Sequence, residues 1–280
     1  MSIGEKIAAA RKAKKWTQED LAWKTQVSVA AVSAWETGKS APDKEHMVAL
    51  SGLLGLSLEE LLADMPAAGL APGNPYFDPE HMYTFVKGRA QMLELKQTLA
   101  ALPVMRERHR KVNQKRRSKY GFENVYEVHP LTLACHALAL GIREDGVLAA
   151  CLLHDVVEDT GISPEGLMEL IPVLSEKTLK IVRLVSKNQY DRRDPDWEKE
   201  YYDHIRESRE ACLVKVLDRV NNLGGMADAF DREWMIKYIH ETEKYYPDLL
   251  EVLKKSEWND AWWLLRYQIV ALLESYKRLL

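Results

Sequence analysis

The stretch VLAACLLHDVVEDT, residues 147–160, joins an uninterrupted apolar run to a dense group of ionisable side chains. A helix that buries such a run should not also carry this much charge unless a bound cation compensates it. Residues three and four positions apart share one face of a helix, so a single helix over residues 144–158 would stack His154 above Glu158. The stretch therefore predicts a buried helix with a metal site at its end. One imidazole and three carboxylates form the group: His154, Asp155, Glu158 and Asp159.

The composition is that of a folded helical protein with two domains. The chain has 280 residues, 46% of them hydrophobic and 29% charged, which excludes a disordered chain. Strand patterns are nearly absent, so we expect an all-α fold. The net charge of −3 excludes general affinity for polyanions, and any nucleic-acid contact must come from a local patch.

The location predicted from the sequence is the cytoplasm. The apolar runs are shorter than the ~18–20 residues of a membrane span. Charged residues occur from the start of the N-terminal segment, which therefore lacks the apolar region of a secretory signal. The three cysteines lack CxxC spacing and lie in apolar surroundings, so we interpret them as reduced core residues. They are Cys135, Cys151 and Cys212.

A run of prolines and glycines between Pro66 and Pro79 marks a linker over residues 66–80. It separates an N-terminal domain of up to five short helices, residues 1–65, from a helical domain, residues 81–280, whose core is about residues 105–265. Within the second domain we expect one helix over residues 81–102 and another that ends at Tyr246, before Pro247.

The first domain contains the pattern of a helix-turn-helix. Thr17 can cap a helix with Asp20 as its capping-box acid, and a short turn at Val27 and Ser28 leads to a helix that Gly38 ends. With WTQEDLA at residues 16–22, WETGK at 35–39 and LLGLSLEELL at 53–62, the domain resembles the Cro/repressor-type (XRE) family of DNA-binding domains.

That resemblance implies an internal ion pair between Arg11 and Glu36, and phosphate contacts from Gln18 and Lys39. The residues at the positions that would contact base edges, Val29, Ala30 and Ala34, are small or apolar, so they could only touch thymine methyl groups. The first forty residues carry seven Lys or Arg against four acids, which suits modest phosphate binding. The alternative is a module that dimerises or holds a protein partner. The implied DNA-contacting set is Gln18, Ser28, Val29, Ala30, Ser33, Ala34 and Lys39.

Two further segments can add ligands to the metal site. His129 precedes Pro130, which fixes the start of a helix, and Asp218 follows the apolar segment at residues 214–217. Together with His154 and Asp155 this gives two histidines and two aspartates from three helices. Mixed His and carboxylate ligation suits Mn²⁺, Fe²⁺ or Zn²⁺, and such a metal lowers the pKa of a bound water.

The order His129, His154-Asp155, Asp218 resembles the motif of the HD superfamily of phosphohydrolases. The surrounding sequence resembles the hydrolase domain of the RelA/SpoT alarmone family. The resemblance implies Mn²⁺-dependent removal of the 3′-pyrophosphate of (p)ppGpp, giving GDP or GTP and pyrophosphate, as in the stringent response. The resemblance further implies that His129, His154, Asp155 and Asp218 bind the metal, while Glu158 and Asp159 position or deprotonate the attacking water. The implied substrate-binding set is Arg116, Arg117, Tyr126, Lys187 and Asn222.

Two departures from the family leave the nucleobase open. Four additional residues, 119–122, lie between Arg117 and His129, and LGGM follows Asn222 in place of a more polar run. The alternatives are a phosphohydrolase of another nucleotide ((p)ppApp, NADPH or a deoxynucleotide) and a nucleotide-sensing transcription regulator or antitoxin. A homodimer is expected, because DNA-binding domains of this class read paired half-sites.

Overall fold

The computed structural model describes residues 3–40, 42, 44–57, 78–112, 115–116 and 124–280. Its contacts divide the chain into two compact units, Met1–Pro72 and Gly73–Leu280. Among the described residues, none of the helices combines the length and the apolar character needed to cross a membrane.

The N-terminal unit contains four described helices, and the fifth predicted helix lies outside the described residues. As predicted, α2 begins with a capping box: Asp20 N donates to Thr17 Oγ1 (3.1 Å) and Thr17 N donates to Asp20 Oδ2 (2.7 Å). Ser28 Oγ caps α3 by accepting from Ala31 N. The helices are α1 (Ile3–Ala13), α2 (Gln18–Thr25), α3 (Val29–Glu36) and α4 (Lys44–Leu54). They enclose a small core of Ile7, Leu21, Ala22, Val32, Trp35, Met47, Leu50 and Leu54.

The described part of the second unit is helical apart from one pair of two-residue strands. The strands β1 (Lys115–Arg116) and β2 (Asn124–Val125) pair antiparallel. The all-α prediction is therefore confirmed. The helices are α5 (Pro79–Met92), α6 (Lys96–Lys111), α7 (Val128–Ala139), α8 (Asp145–Leu153), α9 (Val156–Thr160), α10 (Pro164–Leu170), α11 (Glu176–Val185), α12 (Trp197–Arg206), α13 (Arg209–Gly224), α14 (Met226–Ala229), α15 (Arg232–Lys254) and α16 (Asn259–Leu279).

Helix α8 lies at the centre of this unit. Its residues from Val147 to Leu153 are all buried, because they are apolar on every side. It packs against α6, α7 and α11, while α13 packs against α7, α15 and α16. The apolar run of the sequence thus becomes the axis against which α7 and α13 pack.

The single helix predicted over residues 81–102 is wrong. Helix α5 ends at Met92, Glu94 has a left-handed backbone (φ 54°), and α6 begins at Lys96. The start of α6 is capped from another helix, since the Asp145 carboxylate accepts from Gln97 N (2.9 Å) and Thr98 N (2.8 Å). A cap from a residue almost fifty positions away leaves no local signal.

The single helix predicted over residues 144–158 is also wrong, because the chain breaks between α8 and α9. The His154 ring donates through Nδ1 to the carbonyl oxygen of Cys151 (2.9 Å). That carbonyl is the one that the Asp155 N–H would use in a continuous helix, so the side chain competes with the helix ladder. His154 and Asp155 consequently lie in a turn rather than on a helix face.

The helix predicted to end at Tyr246 continues to Lys254, with Pro247 inside α15. Proline removes only one backbone donor, and the turns that follow bury Leu249, Leu250 and Leu253. Apolar burial outweighs the lost hydrogen bond at this position.

Candidate metal centre and nucleotide site

Three elements of the second unit bring four predicted metal ligands together. His129 lies in the first turn of α7, His154 and Asp155 lie in the turn between α8 and α9, and Asp218 lies within α13. Both histidines and Asp218 are buried, and Asp155 is half-buried. His129, His154 and Asp155 offer ligand atoms that all lie within 4.8 Å of one another.

The four side chains converge through one atom each. The Nε2 atoms of His129 and His154 are 3.2 Å apart. Asp155 Oδ2 lies 3.0 Å from His154 Nε2 and 3.5 Å from His129 Nε2. Asp218 Oδ1 approaches the same two nitrogens at 3.9 and 3.2 Å.

The outer hydrogen bonds of the histidines fix which ring nitrogen is free. His154 Nδ1 faces the Cys151 carbonyl and His129 Nδ1 faces Asn221 Oδ1 (2.6 Å), and both partners can only accept. Each neutral ring therefore carries its proton on Nδ1 and presents a lone pair at Nε2. Two lone pairs and two carboxylate oxygens pointing at one another require either a cation between them or a proton on one of the nitrogens.

The carboxylate ligands also have fixed outer partners. Asp218 Oδ2 accepts from the buried Lys215 ammonium (2.8 Å), and Asp218 Oδ1 accepts from the Asn222 amide (2.6 Å). The Tyr126 hydroxyl donates to Asp155 Oδ2. Such partners orient metal ligands, and they are typical of built metal sites.

Ionisation at the centre follows from its burial and its charges. Burial alone would lower the pKa of His154, but the carboxylates of Asp155 and Asp218 outweigh it and raise that pKa to about 9. Burial would raise the pKa of Asp218, yet the Lys215 ammonium holds it well below its usual range. Burial and the Asp155 charge raise the pKa of Tyr126, so that its hydroxyl stays a donor.

The donor set fits a divalent transition metal. Two imidazole nitrogens and two carboxylate oxygens are the ligands that Mn²⁺, Fe²⁺ and Zn²⁺ accept, and the set leaves coordination positions for water. His129, His154, Asp155 and Asp218 would hold the ion. The proton that these carboxylates stabilise on His154 is the competitor that a metal must displace.

The two acids predicted to handle water lie on α9. Glu158 is half-buried, and it accepts from Lys187 N (3.0 Å) through Oε2 and from Arg192 Nη2 (3.2 Å) through Oε1. Asp159 is exposed, one residue further on. Both partners of Glu158 come from the segment between α11 and α12, which the sequence did not connect with this acid.

The predicted substrate-binding residues are only partly brought together. Tyr126 hydrogen-bonds Asp155 and Asn222 hydrogen-bonds Asp218, so both lie beside predicted metal ligands. The Lys187 ammonium lies 3.8 Å from Glu241 Oε1. The side chain of Arg116, on β1, and the whole of Arg117 lie outside the described residues.

Several functional side chains were missed at the sequence level. Lys215 and Asn221 stand three residues before and after Asp218, so helical spacing could have indicated them. Glu127, almost fully buried beside His129, is paired with Arg106 Nε (2.7 Å) and Arg110 Nη2 (2.8 Å). Part of the basic stretch at residues 106–117 thus holds the start of α7.

The N-terminal unit has the internal ion pair that the resemblance implies. Arg11 and Glu36 form two hydrogen bonds, Nε–Oε1 at 2.6 Å and Nη2–Oε2 at 3.0 Å. Gln18, expected at a phosphate, donates its amide to Glu36 Oε2 (2.8 Å). Val29 and Ala30 are exposed at the start of α3, as is Lys39 after it.

The predicted reading face of α3 is small and apolar in the structure as well. Ser33 and Ala34 are half-buried, and the Ser28 hydroxyl is engaged in capping the helix. This face offers methyl groups and one hydroxyl to a groove. It holds no side chain capable of a bidentate hydrogen bond to a base.

Two comparisons concern the N-terminal part of the chain. A family model described as helix-turn-helix matches residues 7–61. The HTH-type transcriptional activator BcrR of Enterococcus faecalis is 31% identical over 93 residues, which is 33% of this chain and 46% of that protein.

Two more comparisons concern the hydrolase-like part. The guanosine-3′,5′-bis(diphosphate) 3′-pyrophosphohydrolase of Aquifex aeolicus (strain VF5) is 28% identical over 146 residues, 51% of this chain and 20% of that enzyme. A solved structure described as a metazoan ortholog of SpoT that hydrolyzes ppGpp superposes with a TM-score of 0.50 at 22% identity. The match covers 64% of this chain and 95% of that one, and it shows a common fold. The chain spans less than half the length of either curated relative that it matches.

Proposed function

We propose that this protein is a metal-dependent phosphohydrolase of alarmone nucleotides. The chain carries an XRE-type helix-turn-helix domain and is otherwise homologous to the SpoT-type ppGpp hydrolases. The proposed reaction is hydrolysis of the 3′-pyrophosphate of (p)ppGpp to GDP or GTP and pyrophosphate. One observation carries the proposal: two imidazole lone pairs and two carboxylate oxygens converge on one point, and Glu158 follows Asp155 by three residues on α9.

The proposed cofactor is Mn²⁺, held by His129, His154, Asp155 and Asp218. When bound, such an ion lowers the pKa of a water and polarises a phosphoryl oxygen. The protein supplies the geometry: Asn221 and the Cys151 carbonyl orient the two rings, and Lys215 turns Asp218 Oδ1 toward them.

Glu158 is the proposed proton acceptor for the attacking water, with Asp159 beside it. The Lys187 N–H holds one carboxylate oxygen of Glu158 in place, which fixes the direction from which it can take a proton. Arg116 and Arg117 are proposed to flank the base, Tyr126 and Asn222 to contact the nucleoside, and Lys187 to face the phosphates.

The test is turnover by the purified Mn²⁺-loaded protein with a panel of (p)ppGpp, (p)ppApp, NADPH and deoxynucleotides, with release of pyrophosphate or phosphate as the readout. We expect pyrophosphate from ppGpp. Preference for another nucleotide would change the proposed substrate but not the proposed enzyme class. Intact metal binding with no turnover of any nucleotide would favour a nucleotide-sensing regulator.

For residues 1–65, ahead of a linker at 66–80, we propose DNA binding as a homodimer in the cytoplasm. The supporting observation is the bidentate Arg11–Glu36 pair, which fixes α1 against the end of α3 and leaves the start of α3 exposed. The proposed contacts are Gln18 to phosphate through its second amide N–H and its backbone N–H, Lys39 to phosphate, and the α3 positions to the groove. Salt-dependent binding to the protein's own promoter would support this proposal, whereas indifference to all DNA would favour protein docking.

A further inference from the structure

The segment between α11 and α12, residues 186–196, brings one backbone N–H and one guanidinium to the proposed base, Glu158. Lys187 N donates to Glu158 Oε2, and the Arg192 guanidinium lies 3.2 Å from Glu158 Oε1. Asn188 Nδ2 donates to the Val157 carbonyl (3.3 Å), which ties the segment to α9. Both oxygens of the Glu158 carboxylate are thus held from this one segment.

Lys187 and Arg192 also share one aromatic ring. Lys187 Nζ lies 5.8 Å and Arg192 Cζ 5.9 Å from the centroid of the Trp197 ring. The Arg192 side chain is 58% exposed, whereas that of Glu158 is 24% exposed. Arg192 therefore reaches Glu158 from the solvent side, and its guanidinium can turn away without disturbing the core.

The charge around the site favours an additional cation for a phosphate ligand. Four carboxylates lie at the centre or on α9 (Asp155, Glu158, Asp159, Asp218), of which Asp218 is paired with Lys215 and Glu158 with Arg192. A divalent metal offsets two more charges, yet a pyrophosphate group brings several of its own. A guanidinium is the side chain best matched to phosphate oxygens, because it can donate two parallel hydrogen bonds.

We propose that Arg192 binds the pyrophosphate group of the substrate and exchanges Glu158 for phosphate oxygens as the substrate enters. The exchange releases Glu158 Oε1 as a proton acceptor only when a substrate is present. The proposal rests on the proposed function for its substrate class. Arg193, the next residue, is bound through two hydrogen bonds to Asp191 (2.8 Å each) and serves as a matched control.

The first experiment measures binding of inorganic pyrophosphate to the full-length protein by calorimetry, with the same excess of Mn²⁺ in cell and syringe. Arg192→Gln should weaken binding about tenfold or more, since it removes a charge-assisted contact. Arg193→Gln should bind within about twofold of the unmodified protein. Equal affinities for Arg192→Gln and the unmodified protein would overturn the proposal.

The second experiment isolates the exchange. Glu158→Gln removes the partner that Arg192 must leave, so pyrophosphate should bind more tightly to this variant than to the unmodified protein. In the double variant Glu158→Gln/Arg192→Gln that gain should vanish. If Glu158→Gln tightened pyrophosphate binding equally with Arg192 present and with Arg192→Gln, only the charge of Glu158 would matter. That result would reject the exchange. Because binding is the readout, both results stand even if no nucleotide is hydrolysed. Conversely, turnover of ppGpp with unaltered binding by Arg192→Gln would reject this inference alone.

Discussion

His129 Nε2 and His154 Nε2 lie 3.2 Å apart, although both rings direct their Nδ1 protons to acceptors elsewhere. Two lone pairs at this distance repel one another unless a cation lies between them or one nitrogen is protonated. The oxygens of Asp155 and Asp218 face the same point and add negative charge. This convergence is the reason to expect high affinity for a divalent metal, and it makes the consequences of single substitutions specific.

Asp218→Asn should abolish tight Mn²⁺ binding while leaving the shape of the site intact. The amide keeps the volume of the side chain but removes the charge that faces His129. The loss should exceed the about 10–100-fold that removal of an outer partner costs. Metal titration by calorimetry measures it, with the exposed Asp260→Asn as control. Undiminished affinity in Asp218→Asn would remove this residue from the ligand set.

Asn221→Ala should weaken Mn²⁺ binding about 10–100-fold without removing a ligand. The Asn221 oxygen accepts from His129 Nδ1 at 2.6 Å, and this bond orients the ring and places the proton of the neutral ring on Nδ1. Asn259→Ala, an exposed position at the start of α16, is the control for a generic loss of an asparagine. Identical metal titrations for the two variants would show that the ring needs no orienting partner.

The stabilisation by metal should grow as pH rises toward 9. In the metal-free protein the pKa of His154 is raised from 6.5 to about 9, because the attraction of Asp155 and Asp218 outweighs burial. Protonation of His154 therefore contributes stability, at most about 3 kcal/mol, that is fully present below pH 6.5 and lost through pH 9. Metal binding requires the neutral ring, so it gains affinity over the same range.

Thermal unfolding between pH 6.5 and 9.5, with Mn²⁺ and with chelator, measures both effects. The Tm of the chelated protein should fall across this range, whereas the difference between the two curves should widen. A constant difference would mean that no proton is displaced from His154 when the metal binds.

Features that depend on local sequence patterns were predicted correctly. Helix boundaries and contacts that depend on side chains distant in the sequence were not. The proposed ligands His129, His154, Asp155 and Asp218 were predicted because each lies at the polar end of an apolar segment, and the structure brings these four side chains together. The break at His154 was missed because it depends on a ring competing for the Cys151 carbonyl.

Long-range contacts account for the other differences. The start of α6 depends on Asp145, and the environment of Glu158 depends on Arg192, more than thirty residues away. Neither relationship has a periodicity that a single sequence could display. The helix through Pro247 shows the opposite error, since a local breaker signal was weighed above the apolar residues that follow it.

Glu36→Ala should destabilise the N-terminal unit by about 3–5 kcal/mol, because it leaves the Arg11 guanidinium buried without its carboxylate. The two side chains are 9% and 7% exposed, so water cannot replace the lost partner. Glu19→Ala, an exposed acid on α2, should change stability by no more than about 0.5 kcal/mol. Urea unfolding of full-length variants, followed by signals of the N-terminal unit, makes the comparison. Similar curves for the two variants would show that the pair is not a stabilising element.

Gly4→Ala should destabilise the same unit by about 1–3 kcal/mol, although alanine favours helices. A Cβ at residue 4 would lie 2.4 Å from the Trp35 carbonyl oxygen and 2.7 Å from that of Glu36, so α1 would have to move away from the end of α3. Gly52→Ala on α4 is the matched control, since a Cβ there meets nothing within 4 Å. That variant should gain about 0.5–1 kcal/mol from reduced backbone entropy. Opposite signs for the two variants in urea unfolding are the expected result, and a gain in both would show that α1 does not approach α3 as closely as described.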